Sequence, residues 1–386
     1  MYIKREAQIL MDQILKQPKV LLILGARQIG KTTMVKHVLA GKNVLFFNLD
    51  IESDWTRLEA VASLPPKDAL LALGDPDFLV IDEAQRKTET SRIVKGWFDA
   101  GLSNKIILLG SSSLNLLNQT AESLTGRNDK IFLPPLLFRE VVSAQSWYSS
   151  EFSYKQIAEK FSSQVQTLLL QSMVFGNYPE SVTSKDKQGF LLNLSSDYLM
   201  KDVLQMGLVK DPNLLRKLLM LLAFQTGSMV SVNELAVKAG ISRATVERYL
   251  DLLERTFVIF RLFAYSTNPR KEISKSQKIF FWDTGIRNAL INNFSETALR
   301  SDIGQLWENW VVAEFAKQNI LSGNRKNLYF WRSRAGSEVD LVVKEGSLLE
   351  AYEIKWSRSQ ADTRAFSNQY SVKPRIINHE DPFVEL

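Results

Sequence analysis

Gly25, Gly30, Lys31 and Thr32 stand in the spacing Gly-x4-Gly-Lys-Thr, directly after an apolar run at residues 20–24. Glycines so placed let the backbone curl until successive N–H groups point inward, a cradle suited to a polyphosphate. A helix starting near Lys31 adds the positive end of its dipole. In such a loop Lys31 reaches the β- and γ-phosphates and the Thr32 hydroxyl holds Mg2+. Gly25, Ala26, Arg27, Gln28, Ile29, Gly30, Lys31, Thr32 and Thr33 are therefore the expected contacts of a bound ATP.

A second apolar run, residues 78–81, delivers Asp82 and Glu83 at its C-terminal end. Asp82 is expected to help hold Mg2+ and Glu83 to orient and deprotonate the attacking water, since phosphoryl transfer needs positioned charge above all. Ser111 follows the run at 105–109 and is a candidate sensor of the γ-phosphate, against the plain alternative of a Ser-rich loop. Arg127, after Gly126, is a candidate cation for the developing charge, acting within the subunit or from a neighbour.

A second set of carboxylates lies near the C-terminus. Residues 337–343 and 349–356 flank Lys344-Glu345-Gly346-Ser347. With the turn closed at Glu345-Gly346, Asp340 pairs opposite Ala351, and Glu353 and Lys355 share its face because strand side chains alternate. Asp340 and Glu353 then become diagonal neighbours about 7–8 Å apart, close enough to share a divalent cation. The opposite face, with Val339, Leu341, Tyr352, Ile354 and Trp356, is apolar and is expected to pack on a helix at 302–319. In that helix Glu308 falls on the same face as Val311, Val312 and Phe315. A carboxylate on an apolar face requires a partner or a metal. Glu308, Asp340, Glu353 and Lys355 together resemble the Glu…Asp…Glu-x-Lys signature of PD-(D/E)xK nucleases. A charged surface hairpin and a nuclease-like fold that does not cut are the alternatives to an active metal-dependent phosphodiesterase.

The elements that position these groups follow from periodicity. Short apolar runs at 20–24, 44–48, 78–81, 105–109 and 130–133, separated by helical spacing, predict an α/β fold with a parallel sheet covered on both faces. From 136 to 224 the pattern is helical. Ser231 to Leu250 reads as helix–turn–helix, with Gly240 at the turn and Ser242 as N-cap. Strand-like stretches at 258–265 and 278–282 extend it to a winged helix, with 266–277 as wing or linker. Arg243 and Arg248 face outward and are candidate nucleic-acid contacts, while Glu247 and Asp251 oppose the phosphate charge. The alternative is a winged helix that only relays motion.

The segments GARQIGKTT (25–33), FLVIDEAQ (78–85), LLGSSS (108–113), SLTGR (123–127) and PPLLFREVV (134–142) occur in this order. With FGNYPE (175–180), KIFFWDTGIRNAL (278–290), GQLWENWVVAEF (304–315) and SEVDLVV…YEIK (337–355), they resemble prokaryotic AAA-type ATPases that carry a C-terminal domain of unknown function. The resemblance covers nearly the whole chain. It implies an AAA-like core at 1–140, a helical lid or connector at 141–225, a winged helix at 226–285 and a restriction-endonuclease-like α+β domain at 286–386. It also strengthens the role given to Arg127. Asn177 departs from it, standing where a second glycine is usual beside Gly176, which is expected to affect a turn.

The 386 residues exceed one ordinary core, and 45% hydrophobic with 23% charged residues is a globular composition. Without cysteines, disulfides and thiolate metal sites are excluded, and two histidines make a histidine zinc centre untenable. No apolar run reaches membrane-spanning length and the N-terminus lacks a signal-peptide core, so a cytoplasmic location without membrane association is expected. The net charge of +6 permits nucleic acid without demanding it. The expectation is a Mg2+-dependent ATPase coupling nucleotide state to a DNA-directed, nuclease-like domain. A nucleotide-driven switch or scaffold that binds a protein partner and cuts nothing is the alternative; a small-molecule phosphotransferase has no acceptor signature. Self-association is expected if Arg127 acts in trans.

Overall fold

The computed structural model describes residues 1–110, 124–198, 211–266, 277–357 and 363–383. They divide into two compact units, one of Lys4–Pro134 and one of Met1–Ile3 with Pro135–Leu386.

The first unit alternates helix and strand: α1 (Ala7–Leu15), β1 (Val20–Leu24), α2 (Lys31–Val38), β2 (Val44–Asn48), α3 (Glu52–Ala62), α4 (Pro66–Ala72), β3 (Phe78–Asp82), α5 (Thr90–Asp99), β4 (Lys105–Gly110) and β5 (Asn128–Phe132). All five strands are parallel, in the order β2-β3-β4-β1-β5. β1 and β4 are buried along their whole length, as strands covered on both faces must be. Ile81 pairs Leu108, which pairs Leu22 on its other side. The chain thus leaves β1 at Gly25 on the same edge at which β3 delivers Asp82 and Glu83. Ligands of open parallel sheets bind beyond this C-terminal edge.

The second unit opens with helices α6 (Phe138–Ser143), α7 (Tyr154–Lys160), α8 (Ser162–Phe175), α9 (Pro179–Thr183), α10 (Lys187–Asn193) and α11 (Pro212–Phe224). β6 (Met229–Val230), α12 (Val232–Ala239), α13 (Arg243–Arg255), β7 (Ile259–Ala264) and β8 (Gln277–Phe281) follow. The remainder is α14 (Thr284–Leu290), α15 (Ile303–Leu321), β9 (Asn327–Arg332), β10 (Glu338–Glu345), β11 (Leu348–Ile354), α16 (Arg364–Tyr370) and β12 (Arg375–Ile377). One mixed sheet, β12-β11-β10-β9-β7-β8-β6, joins the strands after the helix–turn–helix to the C-terminal strands.

α15 is the centre of this unit. Leu306, Trp307, Val311, Val312 and Phe315 are buried against Phe280, Phe330, Leu341 and Ile354. Each such side chain contributes ~1.5–3 kcal/mol on burial. Its buried charges are paired locally: Lys317 donates to Glu314 and, at 2.8 Å, to the Leu136 carbonyl, and the other Glu314 oxygen accepts from the Phe138 amide at 3.1 Å. Among the described residues no helix is long and apolar enough to cross a membrane.

Two expectations about the hairpin are corrected. Its turn falls at Gly346-Ser347, with Leu341 paired to Tyr352 and Glu345 to Leu348. Continued one step, that register sets Asp340 across from Glu353 and not Ala351. Gly346 takes the left-handed φ of 58° at the first loop position, which fixes the displacement. The shift is two residues, so the facing of Asp340, Glu353 and Lys355 survives. Val339 leaves the α15 face and packs with Trp331 and Phe366, because the β9–β10 register shifts between Val339 and Val342.

Asn177 sits in the bend between α8 and α9. Gly176 before it has φ 67°, the Asn177 amide donates to Asp283 Oδ2 at 2.7 Å, and Asn177 Oδ1 accepts from Ser172 at 2.7 Å.

Candidate functional site

The loop from Gly25 to Gly30 turns against the ordinary handedness twice, at Gln28 (φ 58°) and Gly30 (φ 91°). At Gly25 a Cβ would lie 2.5 Å from the Leu133 carbonyl oxygen, so only glycine passes. Gly30 is the N-cap of α2, whose first turn has no side-chain cap among the described residues. Its N–H groups are the donors an anion needs. Lys31 is 6% exposed and its Nζ donates to the Gly25 and Ala26 carbonyls at 3.0 and 2.9 Å. The cation is thus held on the loop.

Thr32 Oγ1 donates to Asp82 Oδ2 at 2.5 Å, and Asp82 Oδ1 accepts from the Glu83 amide at 2.9 Å. One carboxylate therefore fixes both the hydroxyl and the start of the next turn. Glu83 adopts φ 52°, and its carboxylate accepts from Gln85 Nε2 at 2.5 Å. A residue held in the left-handed region at such an edge stores strain of the kind found at working sites. The cradle, Lys31 and these oxygen donors fit a polyphosphate with a hard divalent cation.

Arg5 joins this site with no warning from the motif. It is 3% exposed, and its guanidinium donates to the Ile29 carbonyl at 3.1 Å and the Pro134 carbonyl at 2.5 Å. It ties the phosphate loop to the chain leaving β5.

Arg127 stands elsewhere. Its carbonyl accepts from the Val20 amide at 3.0 Å, and Asn128 pairs Val20, at the N-terminal edge of the sheet. Five strand residues at ~3.3 Å each put about 16 Å between that edge and the loop. Its Nε instead meets Asp99 Oδ1 at 2.6 Å. The role within the same subunit is withdrawn on this geometry. Ser111 lies outside the described residues.

The C-terminal set does converge, with additions. Lys355 Nζ lies 3.0 Å from Asp340 Oδ2 and 2.9 Å from Glu353 Oε2. Lys278, on β8, inserts its ammonium between Glu308 (2.8 Å) and Glu338 (2.5 Å), with its side chain only 2% exposed. Burial pulls this ammonium down, but Glu308, Glu338 and Asp340 together hold it above the ordinary lysine value. Burial pushes Glu308 up to about 7 against the pull of Lys278. Burial, then the Asp340 charge, push Glu353 to about 7.

Metal binding by Asp340, Glu353 and Glu308 is accordingly corrected. Among the described residues no three His, Cys, Asp or Glu side chains are placed to hold a metal ion. The two ammoniums already take the carboxylate oxygens such an ion would need, Lys278 that of Glu308 and Lys355 those of Asp340 and Glu353. The residues present do not fit one. Lys278 and Glu338 were not singled out by spacing. A signal existed nonetheless: Lys278 alternates with Phe280 and Trp282, so a buried charge facing α15 was readable.

In the helix–turn–helix, Gly240 turns with φ 74° and Ser242 Oγ accepts from the Thr245 amide at 3.2 Å. Val246, Leu250 and Leu253 are buried, and Arg243 and Arg248 are exposed. Arg243 Nε donates to Glu247 Oε1 at 3.1 Å, offsetting its charge, and the Arg248 guanidinium lies 5.6 Å from the Tyr249 ring centre. Residues 267–276 of the expected wing lie outside the described residues.

Residues 17–142 match the family described as AAA domain. The chain carries an AAA-type P-loop domain. Residues 166–297 and 303–381 match two families described as domains of unknown function (DUF8612 and DUF4143). An uncharacterized protein of Mycobacterium tuberculosis is 29% identical over 371 residues, covering 94% of this chain and 76% of its own. One of Methanocaldococcus jannaschii is 24% identical over 389 residues, covering 94% and 82%. Among solved structures, the Walker-type ATPase PABY2304 of Pyrococcus abyssi superposes with a TM-score of 0.50 at 16% identity, over 75% of this chain and 96% of that one. That likeness concerns the fold.

Proposed function

We propose that this chain is a Mg2+-dependent ATPase working as a nucleotide-driven switch. The observation that carries this reading is the line Thr32–Asp82–Glu83, hydrogen-bonded at 2.5 and 2.9 Å beside the phosphate loop. Bound Mg2+ would supply charge neutralisation on the transferring phosphoryl group. Thr32 and Asp82 hold oxygens toward the cation, and the amides around Gly30 and the Lys31 ammonium hold the phosphates. Glu83 orients the water, exchanging its bond to Gln85 for one to the nucleophile. Arg127 is left a role only in trans, from a second copy. Glu83→Gln should keep ATP affinity while hydrolysis falls by about 10²-fold or more. Unchanged hydrolysis, or loss of affinity in parallel with turnover, would refute the assignment of Glu83.

The output belongs to the second unit, acting on a macromolecular partner. Duplex DNA is favoured by the exposure of Arg243 and Arg248 on the second helix of a winged-helix-like arrangement. Replacing both with Ala should weaken duplex binding and lower its salt dependence by about two phosphate contacts. Duplex affinity that ignores the double substitution points to a protein partner. Metal-dependent DNA cleavage by Asp340, Glu353 and Lys355 forms no part of the proposal.

A further inference from the structure

We propose that two ammoniums, Lys278 at Glu308 and Lys355 at Asp340 and Glu353, take the place of the divalent cation for which the Glu308, Asp340, Glu353, Lys355 pattern calls, making the C-terminal unit a non-cleaving module closed by its own lysines. This goes beyond the ATPase reading and stands without it. The ammonium lies 2.8 Å from Glu308 and 2.5 Å from Glu338, on a side chain 2% exposed, and the field of Asp340 also acts on it. An ammonium has three donors and no acceptor, so it satisfies several carboxylate oxygens at once as a small cation would. Lys355 completes the arrangement by bridging Asp340 and Glu353. The six groups come from β8, α15, β10, β11 and the residue after it, so two fixed ammoniums at their junction replace a loaded and unloaded metal site by a permanent joint. Gly227 closes it above, where a Cβ would lie 2.9 Å from Glu308 Oε2.

The test uses the full-length protein and Tb3+, whose emission is sensitised by nearby indoles; Trp307 and Trp356 adjoin Glu308 and Lys355. Wild type and Asp340→Asn should titrate alike, any shared signal arising at the phosphate loop. Lys278→Met should gain a site, about tenfold or more tighter than any wild-type binding here, and Lys278→Met/Asp340→Asn should lack it. Tb3+ or Mn2+ should also raise the melting temperature of Lys278→Met and not that of wild type. A wild-type site abolished by Asp340→Asn would overturn the proposal, and so would a folded Lys278→Met that gains nothing. Where Lys278→Met does not fold, the wild-type and Asp340→Asn comparison decides alone.

Discussion

Asp82→Asn isolates the part of the nucleotide site that serves the metal. In the native chain Asp82 accepts from the Thr32 hydroxyl at 2.5 Å and from the Glu83 amide at 2.9 Å. Hydrogen bonds to an ionised group contribute about 1.5–3 kcal/mol each, and a neutral amide can keep one of the two by turning its oxygen to it. With the oxygen kept on the Glu83 amide, Nδ2 faces the Thr32 hydroxyl, which must accept where it had donated, so Thr32 loses the orientation that Asp82 fixes and spends a lone pair the cation would use. If one such bond supports the metal, Mg2+–nucleotide affinity falls about 10- to 150-fold, at 1.4 kcal/mol for each factor of ten. Binding of the same nucleotide in excess EDTA depends on the loop amides and Lys31, which the substitution does not touch. Calorimetry with a slowly hydrolysed ATP analogue, with and without Mg2+, separates the two. An Asp82→Asn protein that loses equal affinity in both conditions, or in neither, would refute the division of labour.

Three further predictions follow from particular contacts. Arg5→Ala should weaken ATP about tenfold, because the Ile29 carbonyl loses its tie and the loop must be ordered by the ligand; equal affinities by calorimetry would make Arg5 a bystander. Gly176→Ala should cost about 3 kcal/mol or more in unfolding free energy, since φ is 67° and the new Cβ would fall on the Asp283 carboxylate; a denaturant midpoint matching wild type contradicts this. Stability also depends on pH. Burial raises Asp283 to about 6, and Glu308 and Glu353 stand at about 7. The folded state therefore binds more protons than the unfolded one between about pH 4 and 7, so stability falls as pH rises through that window. Melting temperatures that climb steadily from pH 5 to 8 would reverse the assignment.

What the sequence discloses depends on how local the cause is. The phosphate loop was legible because cradle, cation and hydroxyl occupy adjacent residues, and β2 was legible because its run is apolar and bounded. The apolar run at 130–133 places the start of β5 two residues late, because Asn128–Lys130 is partly exposed and the run reports only the covered part of the strand. Arg127 was misplaced for a different reason. Proximity to an apolar run says nothing of which sheet edge a residue occupies, and the pairing of Asn128 with Val20 decides that. Arg5 escapes notice because the Ile29 and Pro134 carbonyls that its guanidinium meets carry no side-chain signature.

The C-terminal carboxylates join these two cases. Alternation along the hairpin put Asp340, Glu353 and Lys355 on one face in the expected and the observed register alike, because a displacement of two residues preserves parity. The demand that Glu308 find a partner was also sound physics, since a carboxylate facing Val311 and Phe315 must be neutralised. What local spacing could not supply was the partner's identity. Thirty positions upstream, Lys278 shares its strand face with Phe280 and Trp282, which pack on the same helix that carries Glu308. A cation on an apolar strand face and an anion on an apolar helix face solve each other's desolvation, and no metal is then required to explain either. Glu314 and Lys317 on the same buried helix are likewise paired with each other. Acidic residues arranged as a metal site must first be counted against the buried lysines that the same core has to neutralise.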